Sequence, residues 1–149
     1  MALQLYEHNA RAYRAVMAML ARYGKAAVVH PTGTGKSYIA FKLIEDHPDA
    51  AVFWLSPSEY IFQTQVESLR RQEPDFPLAN VRFFTYAKLM FCAPEELAAI
   101  AALQPAYIVM DEFHRAGAEC WGASARELLK LCPDAKVLGL SATNIRYLD

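Results

Sequence analysis

The chain is predicted to form an α/β domain in which a mainly parallel sheet is sandwiched between helices. Five short apolar runs alternate with amphipathic stretches of helical period, which is the pattern of repeated βαβ units. The apolar runs contain few polar positions, as expected for strands that are covered on both faces. The length of 149 residues suits one domain of ordinary size.

The expected elements follow one another along the chain. The first helix is rich in Ala, Leu, Met and Arg and is followed by Gly24, a common helix stop. Pro94 favours a helix start, while His47-Pro48-Asp49 and Pro74 end the helices that precede them. The predicted helices cover residues 5–23, 38–45, 59–71, 94–103 and 120–131, and the predicted strands cover residues 26–29, 51–55, 81–84, 106–110 and 136–140.

Composition and charge exclude several classes of protein. With 54% apolar and 21% charged residues, the chain is too apolar to be disordered, and a net charge of −1 argues against a histone-like polycation. Nucleic-acid binding is not excluded, because a local basic patch suffices. Cys92, Cys120 and Cys132 are widely spaced and indicate neither a zinc site nor a redox motif. There is no secretion signal and no apolar run long enough to cross a membrane, so a reducing, cytoplasmic compartment is expected.

The residues that follow the apolar runs are the functional candidates, because ligands of parallel sheets bind at the carboxyl ends of the strands. The first run continues into His30-Pro31-Thr32-Gly33-Thr34-Gly35-Lys36-Ser37, whose G-K-S core is that of the phosphate-binding P-loop. Gly33 and Gly35 allow a backbone that points several N–H groups at one anion. Lys36 supplies a charge for the β- and γ-phosphates, and Ser37 offers a hydroxyl to Mg²⁺. The motif begins with His rather than the usual Gly, and the alternative is a glycine-rich turn followed by a surface lysine.

A pair of acidic residues follows the fourth run, in Asp111-Glu112-Phe113-His114. Asp111 would hold Mg²⁺ through a water, since this ion keeps most of its hydration shell. Glu112 would polarise an attacking water as a general base. The alternative is an acidic helix N-terminus, where carboxylates favour the helix dipole. The fifth run is followed by Ser141-Ala142-Thr143, which taken alone is also an ordinary loop or N-cap sequence.

Together the three segments resemble motifs I, II and III of superfamily 2 helicases, in the order and spacing of the first RecA-like lobe of a DEAD/DEAH-box motor. The resemblance covers essentially the whole chain, residues 1–149, as a single lobe. It implies a RecA-like P-loop NTPase fold, ATP and Mg²⁺ as cofactors, and catalytic roles for Lys36, Asp111 and Glu112. The residues expected to hold ATP are Thr32, Gly33, Thr34, Gly35, Lys36 and Ser37, those expected to hold Mg²⁺ are Ser37 and Asp111, and those expected to couple hydrolysis to movement are His114, Ser141 and Thr143.

The resemblance also implies contacts with nucleic acid and with adenine. Ser58 lies in a loose match to motif Ia after the second strand, and Thr85 follows the third strand; both positions contact backbone phosphate in the family. Helix capping is an equally good interpretation of each side chain. Asn9 lies near the position of the adenine-reading Gln of the family's Q motif. Because phosphate contacts carry no base information, sequence-independent binding is expected, with DNA favoured over RNA.

A second RecA-like lobe, with motifs IV to VI and arginine fingers, is implied as well and is absent from a chain that stops at Asp149. An arginine finger is worth about 10³–10⁵ in kcat in related systems, so this chain alone is expected to bind nucleotide weakly, hydrolyse it very slowly and unwind no duplex. Two functions remain open: the ATP-binding lobe of an ATP-dependent helicase or translocase, and a non-catalytic, nucleotide-dependent binding module. Lys36, Asp111 and Glu112 together favour the first, since a scaffold has no need of all three.

Overall fold

The computed structural model of the chain describes residues 3–30, 35–112 and 119–142. The helices are α1 (Glu7–Tyr23), α2 (Lys36–Asp46), α3 (Glu59–Gln72), α4 (Tyr86–Met90), α5 (Pro94–Ala101) and α6 (Glu119–Leu131), and the strands are β1 (Lys25–His30), β2 (Val52–Ser56), β3 (Val81–Thr85), β4 (Tyr107–Asp111) and β5 (Lys136–Ala142). The strands form one sheet in the order β1-β5-β4-β2-β3, and every pair is parallel. The predicted α/β class with a sandwiched parallel sheet is therefore confirmed.

Helices cover both faces of the sheet. Apolar residues of α1, α2 and α3 pack with Trp54 on one face, and those of α4, α5 and α6 pack with Phe53 on the other. The chain moves one way across the sheet from β1 to β3 and returns from β3 to β5. Because β-α-β crossovers share one hand, the reversal of direction also moves the connecting helices to the opposite face. The carboxyl ends of all five strands consequently lie along one edge.

The structure differs from the sequence prediction mainly at α4, which the pattern missed. A helix of five residues is too short to show a clear hydrophobic period. Its start is fixed by Thr85, whose Oγ1 accepts a hydrogen bond from the N–H of Lys88 at 3.0 Å, and by the burial of Tyr86 and Leu89. None of the helices in the described ranges is long and apolar enough to cross a membrane.

The first helix begins at Glu7 rather than at residue 5 because the preceding segment is held elsewhere. The N–H of Leu3 donates to both carboxylate oxygens of Glu45, at 2.8 and 3.1 Å. The hydroxyl of Tyr13 donates to Asp46 at 2.6 Å. These bonds attach the N-terminal segment and α1 to the end of α2, the helix whose other end carries Lys36.

A stack of aromatic rings forms the centre of the core on the α1–α3 face. Trp54 is fully buried, and its ring lies 5.1 Å from that of Phe41 and 5.3 Å from that of Phe62. The indole N–H is also buried and has no hydrogen-bond partner in the described part of the chain. Ring packing, rather than hydrogen bonding, therefore accounts for the contribution of Trp54 to stability.

We expect Trp54→Ala to lower the free energy of unfolding by about 3–5 kcal/mol, because it leaves a large cavity. Trp54→Phe should cost much less, since it keeps a stacked ring and removes an unsatisfied donor. Urea denaturation gives both values, and the exposed Tyr60 provides the control, with Tyr60→Ala expected within about 0.5 kcal/mol of the wild type. Equal losses for the Phe and Ala variants would contradict this account.

Candidate functional site

Residues from distant parts of the sequence meet at the carboxyl edge of the sheet. Lys36, the first residue of α2, places its Nζ 3.3 Å from Oε1 of Glu112, which directly follows β4. Strand β5 lies between β1 and β4, and its Leu140 pairs with Asp111. The next residue of β5, Ser141, is buried. The structure thus brings together Lys36, Asp111 and Glu112, the residues predicted to be catalytic.

The turn before α2 is fixed by Gly35. Its φ of +76° lies in the left-handed region, which glycine adopts without a steric penalty. Its carbonyl oxygen accepts the N–H of Tyr38 at 3.0 Å and the side-chain Nδ2 of Asn9 at 3.3 Å. Asn9 is buried, so α1 holds the residue that directly precedes Lys36 and the half-buried Ser37 in the first turn of α2.

Asp111 is a buried carboxylate held from two sides. Its exposed fraction is 0%; its Oδ2 accepts a hydrogen bond from Nε2 of Gln65 at 3.0 Å, and its backbone oxygen accepts one from the hydroxyl of Tyr86 at 2.9 Å. Burial raises the pKa of Asp111, while the Gln65 hydrogen bond and the charge of Lys36 oppose that rise. Its Oδ1 is buried and has no hydrogen-bond partner among the described residues.

Glu112 adopts a backbone conformation that non-glycine residues rarely adopt. Its φ of +51° lies in the left-handed region, at a cost of about 1–3 kcal/mol for a side chain of this kind. The carboxylate of Glu112 faces Lys36 in this conformation. A strained residue that carries a carboxylate at a strand end is typical of a functional site.

The donor set at this edge fits a magnesium ion. No group of three or more His, Cys, Asp or Glu side chains that could enclose a metal occurs in the described ranges. Mg²⁺ does not need such a group, because it is usually bound through one or two carboxylates together with waters and substrate phosphates. The orphaned Oδ1 of Asp111 is a buried acceptor of this kind, and Ser37 offers a hydroxyl from the first turn of α2.

The two predicted nucleic-acid contacts cap helices. Oγ of Ser58 accepts the N–H of Ile61 at 3.0 Å at the start of α3, and Thr85 caps α4 in the same way. A hydroxyl that accepts one hydrogen bond still has its own proton to donate, so capping and phosphate binding are compatible. The proposed phosphate contacts remain predictions.

A cavity of about 280 Å³ lies beside Asn9. It is lined by Gln4, Leu5, Tyr6, Asn9, Tyr38 and Gln72. The amides of Gln4 and Gln72 add polar groups that no sequence motif associates with Asn9. A larger cavity, of about 630 Å³, lies at the opposite edge of the sheet between the loops that precede β4 and β5, away from every predicted site residue.

Several predicted site residues lie outside the described residues. They are Thr32, Gly33 and Thr34 of the loop before α2, His114 after β4, and Thr143 after β5. Sequence reasoning in turn missed Gln65 and Tyr86 as partners of Asp111. Gln65 carries one signal that could have identified it, because it is a polar residue next to the apolar positions of an amphipathic helix.

In this parallel sheet, a lysine at the start of the first crossover helix lies opposite an Asp-Glu pair at a strand end. This combination defines a P-loop nucleotide-binding ATPase. Residues 2–146 match the family model described as type III restriction enzyme, res subunit, and the chain belongs to this family of helicase-like ATPases. No curated protein matches the chain.

Among solved structures, the chain is similar to domain III of the Thermotoga maritima replication initiation protein DnaA. The identity is 14% and the TM-score 0.48, with 95% of this chain and 54% of that one covered. The chain therefore spans about half the length of that structure.

Two glycines with the same backbone conformation provide a matched test of the loop. Gly24 and Gly35 have φ values of +75° and +76°, so replacing either by Ala should cost about 1–2 kcal/mol of stability. At Gly35 the new methyl group would also lie 3.2 Å from Nδ2 of Asn9 and 3.3 Å from the Tyr38 ring, whereas at Gly24 nothing lies within 4 Å.

Gly35→Ala should therefore weaken binding of a fluorescent ADP analogue in addition to its loss of stability, and Gly24→Ala should lose stability alone. Urea denaturation and a fluorescence titration measure the two effects separately. Unchanged nucleotide affinity in folded Gly35→Ala would show that the Asn9–Gly35 contact does not shape the binding loop.

Proposed function

We propose that the chain is the ATP-binding lobe of an ATP-dependent nucleic-acid helicase or translocase of the DEAD/DEAH-box type. The observation that carries this proposal is the ion pair of Lys36 and Glu112 beside the buried Asp111. Phosphate binding, water activation and metal binding need one group each, and these three residues supply them at one edge of the sheet. Family membership supports the ATPase chemistry.

The two residues of the ion pair have separate roles in this proposal. Lys36 and Glu112 are only 15% and 19% exposed, so each charge is largely shielded from water and compensated by the other. A nucleotide phosphate offers Lys36 a more highly charged partner, which leaves the Glu112 carboxylate available to orient a water. When bound, Mg²⁺ would be held by Asp111 and Ser37 and would neutralise charge that develops on the phosphates.

Nucleic acid is the proposed partner, with the strand passing the carboxyl ends of β2 and β3. Ser58 lies two residues after the end of β2, and Thr85 is the last residue of β3. These adjacent strands pair in register from Val52 with Val81 to Ser56 with Thr85. Hydroxyl groups at two neighbouring strand ends suit contacts with successive phosphates, and such contacts are independent of sequence. DNA is favoured over RNA in this proposal, and a second RecA-like lobe would complete the ATPase.

In the complete protein, DNA should stimulate ATP hydrolysis, and Glu112→Gln should reduce the stimulated rate by about 10²–10⁴-fold, since it removes the base but keeps the side-chain shape. Nucleotide affinity should persist in Glu112→Gln and fall in Lys36→Ala, which removes the phosphate partner. A phosphate-release assay and a nucleotide titration make the comparison. Absence of stimulation of ATP hydrolysis by DNA and RNA alike would reject the motor. Nucleotide-dependent binding of partners that is the same in Glu112→Gln as in the wild type would favour the non-catalytic binding module.

Replacing the capping hydroxyls by Asp separates capping from phosphate binding. Asp is as good an N-cap as Ser, so Ser58→Asp and Thr85→Asp should unfold within about 1 kcal/mol of the wild type. The added negative charge should weaken binding of single-stranded DNA by repelling the phosphates, and high salt should reduce the difference. Fluorescence anisotropy at two salt concentrations tests this, and wild-type affinity in both variants would exclude these contacts.

A further inference from the structure

Gln65 is the one side chain whose hydrogen bond to the Asp111 carboxylate is given by the structure, and no predicted motif includes it. Its Nε2 donates to Oδ2 of Asp111 at 3.0 Å. Oε1 of Gln65 and Oδ1 of Asp111 are both buried, and neither has a hydrogen-bond partner in the described part of the chain. The hydrogen bond between Gln65 and Asp111 thus leaves each side chain with one buried oxygen that accepts no hydrogen bond from the described residues.

The position of Gln65 in α3 argues against a purely structural role. Phe62, Val66 and Leu69 form the apolar side of this helix and pack into the core, and Gln65 lies next to them at helical spacing. An apolar residue there would pack without introducing a buried amide. A local departure from the apolar pattern, with a buried acceptor left unsatisfied, is typical of a functional position.

The chemistry of the two free acceptors indicates what would satisfy them. An ionised carboxylate only accepts hydrogen bonds, so Nε2 of Gln65 must face Asp111 and Oε1 must face away from that contact. A hydrated cation presents O–H donors on its outer side, and Mg²⁺ keeps several of its waters when it binds to proteins. A hydrated divalent cation therefore complements both Oε1 of Gln65 and Oδ1 of Asp111.

We propose, on the basis of the proposed nucleotide site, that Gln65 is a positioning residue for the divalent cation. Its N–H holds the Asp111 carboxylate with Oδ1 available to the hydrated ion, and its Oε1 accepts a hydrogen bond from the water shell. Gln65 acts through Asp111 and through water and contacts no reacting atom. Its removal should weaken metal binding and leave the metal-independent affinity for nucleotide unchanged.

The test titrates MgCl₂ against the full chain in the presence of a fluorescent ADP analogue, and a second titration measures the analogue in EDTA. Gln65→Met keeps the length of the side chain and removes both polar atoms. It should raise the Mg²⁺ concentration needed for half-saturation by about 10-fold, the usual effect of losing an outer-shell partner. Affinity in EDTA should stay within about twofold of the wild type, a split that general loss of structure would not produce.

Gln63→Met is the matched control on the same helix. Gln63 is exposed, and within the described ranges its Nε2 donates to Glu59 alone, at 3.3 Å. The Mg²⁺ midpoint of Gln63→Met should therefore equal that of the wild type. Asp111→Asn reports on the site itself and should also raise the midpoint. If Asp111→Asn shifts the midpoint and Gln65→Met does not, the role of Gln65 is refuted and the nucleotide site stands. If the wild type binds the analogue independently of Mg²⁺, the proposed Mg²⁺–nucleotide site fails, and the role of Gln65 fails with it.

Discussion

The buried carboxylate of Asp111 is the constraint on which the arrangement of the site depends. A carboxylate that is removed from water must be compensated by hydrogen bonds and opposite charge, or it takes up a proton. Here the hydrogen bond comes from α3 through Gln65 and the opposite charge from α2 through Lys36. A shift of either helix would remove one of the interactions that favour the ionised form, so the packing of both helices on the sheet and the chemistry of Asp111 are linked.

The order of the strands explains why the second acidic residue can face the lysine. Lys36 follows β1 and Glu112 follows β4, and β5 separates these strands. A gap one strand wide therefore separates the ends of β1 and β4. The left-handed backbone of Glu112 then directs its carboxylate across the gap to Lys36, and the attraction between the two charges offsets part of the strain.

The sequence predicted every helix and strand except α4, as well as the motif residues, because both kinds of feature are local patterns. Unbroken apolar runs identify strands covered on both faces. Asp111 and Glu112 directly follow such a run, and Gly35 and Lys36 come a few residues after another. The partners of Asp111 could not be predicted in this way. Gln65 lies 46 residues away along the chain, and its distance to Asp111 depends on the strand order and on the rotation of α3 about its axis. Neither is encoded in a short window of sequence.

Two helices that hydrogen-bond to Asp111, α3 and α4, begin at the candidate nucleic-acid contacts. Ser58 caps α3, which carries Gln65, and Thr85 caps α4, which begins with Tyr86. Gln65 donates a hydrogen bond to the carboxylate of Asp111, and Tyr86 donates one to its carbonyl oxygen. Both helices are therefore hydrogen-bonded to the last residue of β4. Because a short helix moves nearly as a rigid body, a displacement at Ser58 or Thr85 would be transmitted to Asp111 through Gln65 or Tyr86. If nucleic acid binds at Ser58 and Thr85 as proposed, the position of these helices would link it to Asp111, and no direct contact between the polymer and the nucleotide would be needed.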